Sequence, residues 1–485
     1  MTYNEFQKLA RPGRIIPVYR RLNADFLTPI MAYIKLRSTE HYSFLLESVI
    51  KGQHLGRYSF IGNTPLDVNQ FYLSATDHSN NGDFFRQLQD QLHQYQSVTI
   101  ADLPRFTGGA VGFIGYDMIR QIEEIPYPEA DHIRIPDAVM AFYHDLIAFD
   151  HLKNQVILIA NTIVEEESNP GILFEQANRR LDQLTEKLNS PFHPDIQFSA
   201  DLDKLQGNFT EEAFKNIVLK AKEHIFAGDI FQVVLSQRME VPFTGDSFQV
   251  YRALRNINPS PYLFFLDFLD YQLIGSSPEP LIRVENREAE IIPIAGTRPR
   301  GNSPEEDRAL SESLLKDPKE LAEHVMLVDL ARNDMARVSE HGSVKVNDFR
   351  TIESYSHVMH IISRVNGKLK PPCDTVDAFK AAFPAGTVSG APKIRAMEII
   401  NDLEKQKRGY YAGAIGYFDY SGNMDMCIAI RTLLAKNNKI YFQAGAGIVA
   451  DSDPATEYQE TINKGNALKS AIEQAAGGIN GFIHR

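Results

Sequence analysis

Apolar and polar positions along the chain follow the two-residue period of strands and the 3.6-residue period of helices. Before residue 189 strands dominate: AVGFIGYD (110–117), AVMAFYHDLIAFD (138–150) and QVILIAN (155–161) are alternating or continuous apolar runs, and helical stripes are sparse. The stretch NSPFHPDIQFSADLDKLQ, with two prolines and little periodicity, marks 189–206 as a linker. After it, Thr210 opens a capped helix whose stripe is Phe214, Ile217, Val218, Ala221 and Ile225, and the strand pattern IFQVVLSQRMEV follows. YLFFLDF, YQLIGSS, GAIGYFD and KIYFQAGAGIVA read as further strands, with helices expected near 318–336, 390–405 and 454–475. Hairpin-like strand pairs with few βαβ units predict an α+β fold of large packed antiparallel sheets flanked by helices, divided into segments 1–188 and 207–485.

Composition narrows the function. Of 485 residues, 43% are hydrophobic and 23% charged, as in ordinary globular proteins. A net charge of -12 without a basic block argues against nucleic acid. Two cysteines, Cys373 and Cys427, are too few for a disulfide framework or a zinc cluster. No apolar run is long enough for a bilayer and the first residues lack a signal-peptide core, so a cytoplasmic protein without membrane partners is expected.

Two helix starts share one construction. Asp317-Pro318 and Asp453-Pro454 each offer an Asp cap with Pro at the first helical position. Each is followed by an acidic pair three residues apart, Glu320 with Glu323 and Glu457 with Glu460, where like charges on one face repel. Glu320 can be a capping-box acid, and Glu460 can pair with Lys464 one turn on. Glu323 lies in LAEHVMLVDLA, which is apolar almost all round, so its carboxylate needs a partner. Should the helices converge, a hard divalent cation, best magnesium, would relieve the crowding.

The loop FPAGTVSGAPK (383–393) precedes a helical run and can either hold an anion on free amides or simply cap the helix. It is not a Walker loop, and no dinucleotide-binding glycine pattern occurs. Arg431, within the run CIAIRTLL, needs either an internal carboxylate or a carboxylate ligand. His360 alternates with apolar residues, as a hydrogen-bonded core histidine would.

Together LLES (45–48), GDIFQVVLSQR (228–238), NPSPY (258–262), IGSSPE (274–279), PIAGTRPRG (293–301), KELAEHVMLVDLARND (319–334), FPAGTVSGAPK and GAGIVADSDPATEYQET (445–461) resemble the chorismate-utilising enzymes over nearly the whole chain. Within them the resemblance is to the large subunits of anthranilate synthases. It implies magnesium held by Glu323 and Glu460, with Glu320 and Glu457 reaching metal-bound water. It implies that Arg431 and Tyr411 take the enolpyruvyl carboxylate of chorismate, and that Gly296, Thr297, Thr387 and the amides near Gly445 and Gly447 surround the ring carboxylate, with Lys464 assisting. Glu279 is then the acid for the leaving hydroxyl, and His360 handles a proton near the enolpyruvyl group.

By the same resemblance, Gln232 stands where water-using relatives carry a lysine base, which favours ammonia as nucleophile. Ala295 stands where aminodeoxychorismate synthases carry lysine, which favours anthranilate; that activity and a non-catalytic tryptophan or chorismate sensor are the alternatives. Glu47, Ser48, Pro261, Tyr262 and Leu263 resemble a pocket for L-tryptophan as feedback inhibitor, Leu263 replacing the methionine of many relatives. Neither cysteine has a nucleophile-like setting, so ammonia should come from a separate glutamine amidotransferase subunit, in a heterotetramer. The absence of Trp fits an enzyme needed when tryptophan is scarce.

Overall fold

The computed structural model describes residues 1–49, 56–73, 82–191, 196–301, 303–354 and 358–478. Two large sheets face each other. One runs in the order Phe198–Ala200, Gln232–Gly245, Lys439–Ile448, Thr432–Lys436, Tyr271–Ser277, Tyr262–Asp267, Ser43–Glu47, Tyr58–Asn63, Asp145–Asp150, Gln155–Val164, Arg14–Asn23, Gln96–Ser97. The other runs Ile294–Pro299, Val358–Lys368, Glu288–Ile291, Pro280–Glu285, Met424–Ile428, Ala414–Asp419, Gly109–Ile114, Ala138–Tyr143, Asp67–Phe71. Apart from the short parallel pairing of Arg14–Asn23 with Gln96–Ser97, these neighbours are antiparallel.

The strand runs are continuously apolar because both faces are covered. The largest core lies between the sheets, where Phe44 meets Tyr143 at 4.8 Å between ring centroids. A second core lies between the first sheet and the helices Pro29–Leu36, Pro170–Asn189, Phe248–Ile257 and Pro454–Ala476. The Pro170–Asn189 helix stands in the half read as strand-rich; its stripe Ala177, Leu181, Leu184 and Leu188 has helical spacing but is diluted by charged neighbours.

Segments on both sides of 189–206 enter each sheet: Ser43–Glu47 pairs with Tyr262–Asp267, and Gly109–Ile114 pairs with Ala414–Asp419. The division of the chain is therefore one of sequence, with both parts sharing both sheets. Helix Pro318–Ala336 packs on strands Ile294–Pro299 and Val358–Lys368 of the second sheet, while helix Pro454–Ala476 packs on Lys439–Ile448 of the first. Each sheet thus contributes one acid-bearing helix.

Candidate active site and a second cavity

Both helix starts are built as their sequences dictate. Asp317 accepts the amides of Lys319 and Glu320 at 3.0 and 3.3 Å, and Asp453 accepts that of Thr456 at 2.9 Å. The side chain of Glu320 does not return to the cap: it accepts from Arg298 at 3.1 Å, and Arg298 also holds Asp317 at 2.8 Å. The sequence reading had not singled out Arg298, because nothing local ties it to a helix some twenty residues on.

The two helices converge electrostatically. Burial, together with the neighbouring Glu320, raises the pKa of Glu323, and burial together with Glu460 raises that of Glu457; Lys319 and Lys464 act on both carboxyls. Glu323 also lies 3.5 Å from the amide nitrogen of Gln232. Glu460 is paired with Lys464 at 2.6 Å, as its spacing allows. Among the described residues no group of three or more His, Cys, Asp or Glu side chains is close enough to share a metal ion. The donor set nevertheless suits magnesium, which takes one or two protein carboxylates and completes its shell with water and ligand oxygens. Two half-buried acids whose pKa values are raised are groups a cation would stabilise.

Lys464 also donates to the carbonyl of Gly445 at 3.0 Å, and Arg431 donates to the backbone carbonyl of Lys464. Burial lowers the pKa of the Arg431 guanidinium, and among the described residues no carboxylate is its ion-pair partner. Arg431 follows the strand Met424–Ile428 instead of lying within it, and its φ of +51° is a left-handed conformation costing roughly 1 kcal/mol in a residue other than glycine. A side chain at Gly445 would run into the Leu235 backbone carbonyl and the Tyr411 hydroxyl, so that position requires glycine for space, whereas at Gly447 it would meet the end of the Gln232 side chain.

On the opposite side, Thr387 donates to Glu279 at 2.8 Å. Burial lifts the Glu279 carboxyl to about 7, against the lowering effects of Thr387 and Lys464. A small cavity adjoins it, lined by Glu279, Gly386 and Thr387 with apolar Leu327, Leu330 and Ile428. His360 faces Thr297 across paired strands; its Nδ1 lies 3.0 Å from the Gly296 carbonyl, which can only accept, so Nδ1 carries the proton. Burial keeps the ring neutral.

The chain that builds this arrangement of acids, cations and glycine-lined space is similar to known proteins. Residues 41–470 match the family described as chorismate binding enzyme. The chain belongs to the chorismate-binding enzyme family. Anthranilate synthase component 1 of Neisseria meningitidis serogroup B is 43% identical over 98% of this chain and 99% of its own. The same-named protein of Acetivibrio thermocellus is 44% identical over 98% of each chain. The crystal structure of anthranilate synthase component I from Streptococcus pneumoniae matches with a TM-score of 0.76 and 41% identity, covering 93% of this chain and 99% of that one.

This chorismate-binding enzyme has a second cavity between the sheets, and Glu47, Ser48, Pro261, Tyr262 and Leu263 all line it. Pairing of Glu47 opposite Leu263 brings the two segments together. Glu47 is buried and held by Tyr251 at 2.5 Å and Arg255 at 3.1 Å, whereas the buried Ser48 hydroxyl has no partner among the described residues. Arg57, Arg105, Tyr417 and Asp425 also line it. Burial raises Asp425 to about 6, with Tyr262 donating to it at 2.9 Å. These four lie outside LLES and NPSPY, and it is the sheet pairing that brings them to the same pocket.

Proposed function

We propose that this chain is the chorismate-converting subunit of an anthranilate synthase, forming anthranilate and pyruvate from chorismate and ammonia. The observation that carries the reading is Arg431: a strained, largely buried cation with no protein carboxylate to neutralise it is matched to a carboxylate ligand. Chorismate offers two. Arg431 and Tyr411 hold the enolpyruvyl carboxylate, and Gly296, Thr297, Thr387, Gly445 and Gly447 surround the ring carboxylate, with Lys464 at the Gly445 carbonyl.

Magnesium would be held by Glu323 and Glu460, with Glu320 and Glu457 beside them; when bound it orients the ring carboxylate and stabilises charge developing on it. Ammonia bonds to ring C2 while the C4 hydroxyl leaves as water, taking the proton of Glu279, whose pKa of about 7 keeps much of it acidic near neutrality. Ammonia is already nucleophilic, so Gln232 is a suitable neighbour and no base is required there. Loss of the C2 proton and cleavage of the C3–oxygen bond then release pyruvate and leave the aromatic amine, with neutral His360 placed for proton handling at the enolpyruvyl group.

The first committed step of tryptophan biosynthesis follows from this chemistry, and the second cavity is the site at which L-tryptophan inhibits it. Segment 1–188 supplies one wall of that cavity, and segment 207–485 holds the catalytic groups. The enzyme works in the cytoplasm; among the described residues no helix is long and apolar enough to cross a membrane. Glutamine is hydrolysed by a partner amidotransferase in a heterotetramer; within this chain, burial pushes the Cys427 thiol up and away from nucleophilic use.

The test mixes the chain with chorismate, ammonium and magnesium and follows anthranilate fluorescence and pyruvate. Equal yields of both are expected; an aminated product that keeps its enolpyruvyl group, or no product, overturns the reading.

A further inference from the structure

Beneath the active site lies a charged pair that the reaction scheme does not use. Arg408 and Glu404 are both buried and joined through two hydrogen bonds, Nε to Oε2 at 2.9 Å and Nη2 to Oε1 at 2.6 Å. Arg408 further donates to the carbonyl of Val388 at 2.8 Å and to that of Val234 at 2.7 Å. Glu404 Oε1 accepts the amide and hydroxyl of Ser236 at 2.8 and 2.9 Å, and the Ser236 hydroxyl is bonded by Gln443 at 2.8 Å. The Arg408 guanidinium also lies 5.7 Å from the Tyr411 ring centroid.

A buried ion pair adds little net stability over apolar residues of the same volume, because desolvation offsets the attraction. What this one does is geometric. It holds three backbone groups on two segments beside residues assigned above: the carbonyl of Val388, which follows Thr387, and, on strand Gln232–Gly245, the carbonyl of Val234 and the amide of Ser236, which lies opposite Gly445. The same segments also meet through the backbone, the Val234 amide donating to the Ser389 carbonyl at 2.9 Å, and the ion pair adds side-chain bonds across that seam.

We infer that Arg408, locked by Glu404, is a positioning residue for the reaction: through the Val388 carbonyl it fixes the Thr387 hydroxyl on Glu279. This rests on the anthranilate-forming reading. The other charged groups around Glu279 are Lys464 from helix Pro454–Ala476 and, across the adjoining cavity, Asp334, which is paired with Lys393 at 2.9 Å. Neither is bonded by Arg408, so their effect on Glu279 should survive its replacement.

The experiment compares the parent with Arg408→Lys, Glu404→Gln, Thr387→Val and the double variant R408K/T387V, using ammonium at a fixed free-ammonia concentration. Arg408→Lys keeps the charge but loses the fork. Turnover is expected to fall about 10- to 100-fold, as for misplacement of a reacting group by about an ångström, with the chorismate KM changed less than threefold. The alkaline limb of the rate profile is expected to move to higher pH, because a loosened Thr387 bond no longer favours the Glu279 carboxylate. Thr387→Val should move the limb the same way, and the double variant should move it no further. Thermal unfolding of each variant separates stability from function: E404Q, which retains hydrogen-bonding groups, should show the same limb shift with the smaller loss of Tm. Additive limb shifts, or an unmoved limb in both folded Arg408→Lys and folded Glu404→Gln, overturn the positioning role. Should Arg408→Lys fail to fold, an unmoved limb in E404Q overturns it alone. Absence of anthranilate from the parent chain would instead remove the reading on which it rests.

Discussion

The Thr387 hydroxyl and the Glu279 carboxyl, 108 residues apart in sequence, meet at 2.8 Å and set one acid against two opposing influences. Burial favours the protonated form and the hydrogen bond favours the carboxylate; burial wins, leaving the pKa at about 7. A group so poised can donate a proton to a departing hydroxyl near neutral pH.

Glu279→Gln should lower turnover by about 100-fold or more, the usual contribution of a positioned acid. In the parent, kcat should fall as pH rises through about 7, since the protonated form is the active one. Steady-state rates from pH 6 to 9 at fixed free ammonia check both.

The same acid has a stability signature. Its folded pKa, about 7, exceeds the ordinary 4.5, so the folded state binds more protons between those values and stability falls as pH rises through them. The penalty approaches about 3 kcal/mol above pH 7. Glu279→Gln should therefore melt at a higher temperature than the parent at pH 8, with the difference shrinking toward pH 5.

Arg431 predicts a separation of binding from folding. Arg431→Gly removes the cation and relieves the left-handed φ of +51°. The chorismate KM should rise at least about tenfold, the equivalent of one charge-assisted hydrogen bond, while Tm stays level or increases. A parallel loss of Tm and binding would show that the guanidinium is structural.

In the second cavity, Ser48→Ala removes a buried hydroxyl that has no partner among the described residues. Tm should stay level or rise. Inhibition by tryptophan should weaken about fivefold or more, the loss of one hydrogen bond of ~1 kcal/mol. Basal turnover should be unchanged, and inhibition curves with matched melts provide the measurement.

Glu323→Gln should raise the magnesium concentration needed for half-maximal turnover by about tenfold or more, because a carboxylate ligand becomes a neutral amide. Titration of turnover with magnesium after chelation tests it; an unchanged midpoint would remove Glu323 from the metal.

Local features of the active region were legible because neighbours in sequence create them. The Asp-Pro helix starts, the acidic pairs three residues apart and the apolar strand runs each depend on spacings of a few positions. The i,i+4 partner of Glu460 was equally visible, and Lys464 takes it at 2.6 Å. Glu320 was legible only by half: Asp317 caps its amide, but its carboxylate goes to Arg298, an interaction set by how the helix lies on strand Ile294–Pro299.

By itself the sequence determined the α+β class, the helix caps and the family, through blocks of side chains whose order along the chain is informative. Tertiary structure alone decided that Arg431 has no protein carboxylate among the described residues, that burial raises the Glu279 carboxyl to about 7, and that Arg408 and Glu404 join the Val388 loop to strand Gln232–Gly245. The reason is physical: periodicity and capping act across one or two turns, whereas burial and charge pairing depend on which distant strands share a sheet and in what register.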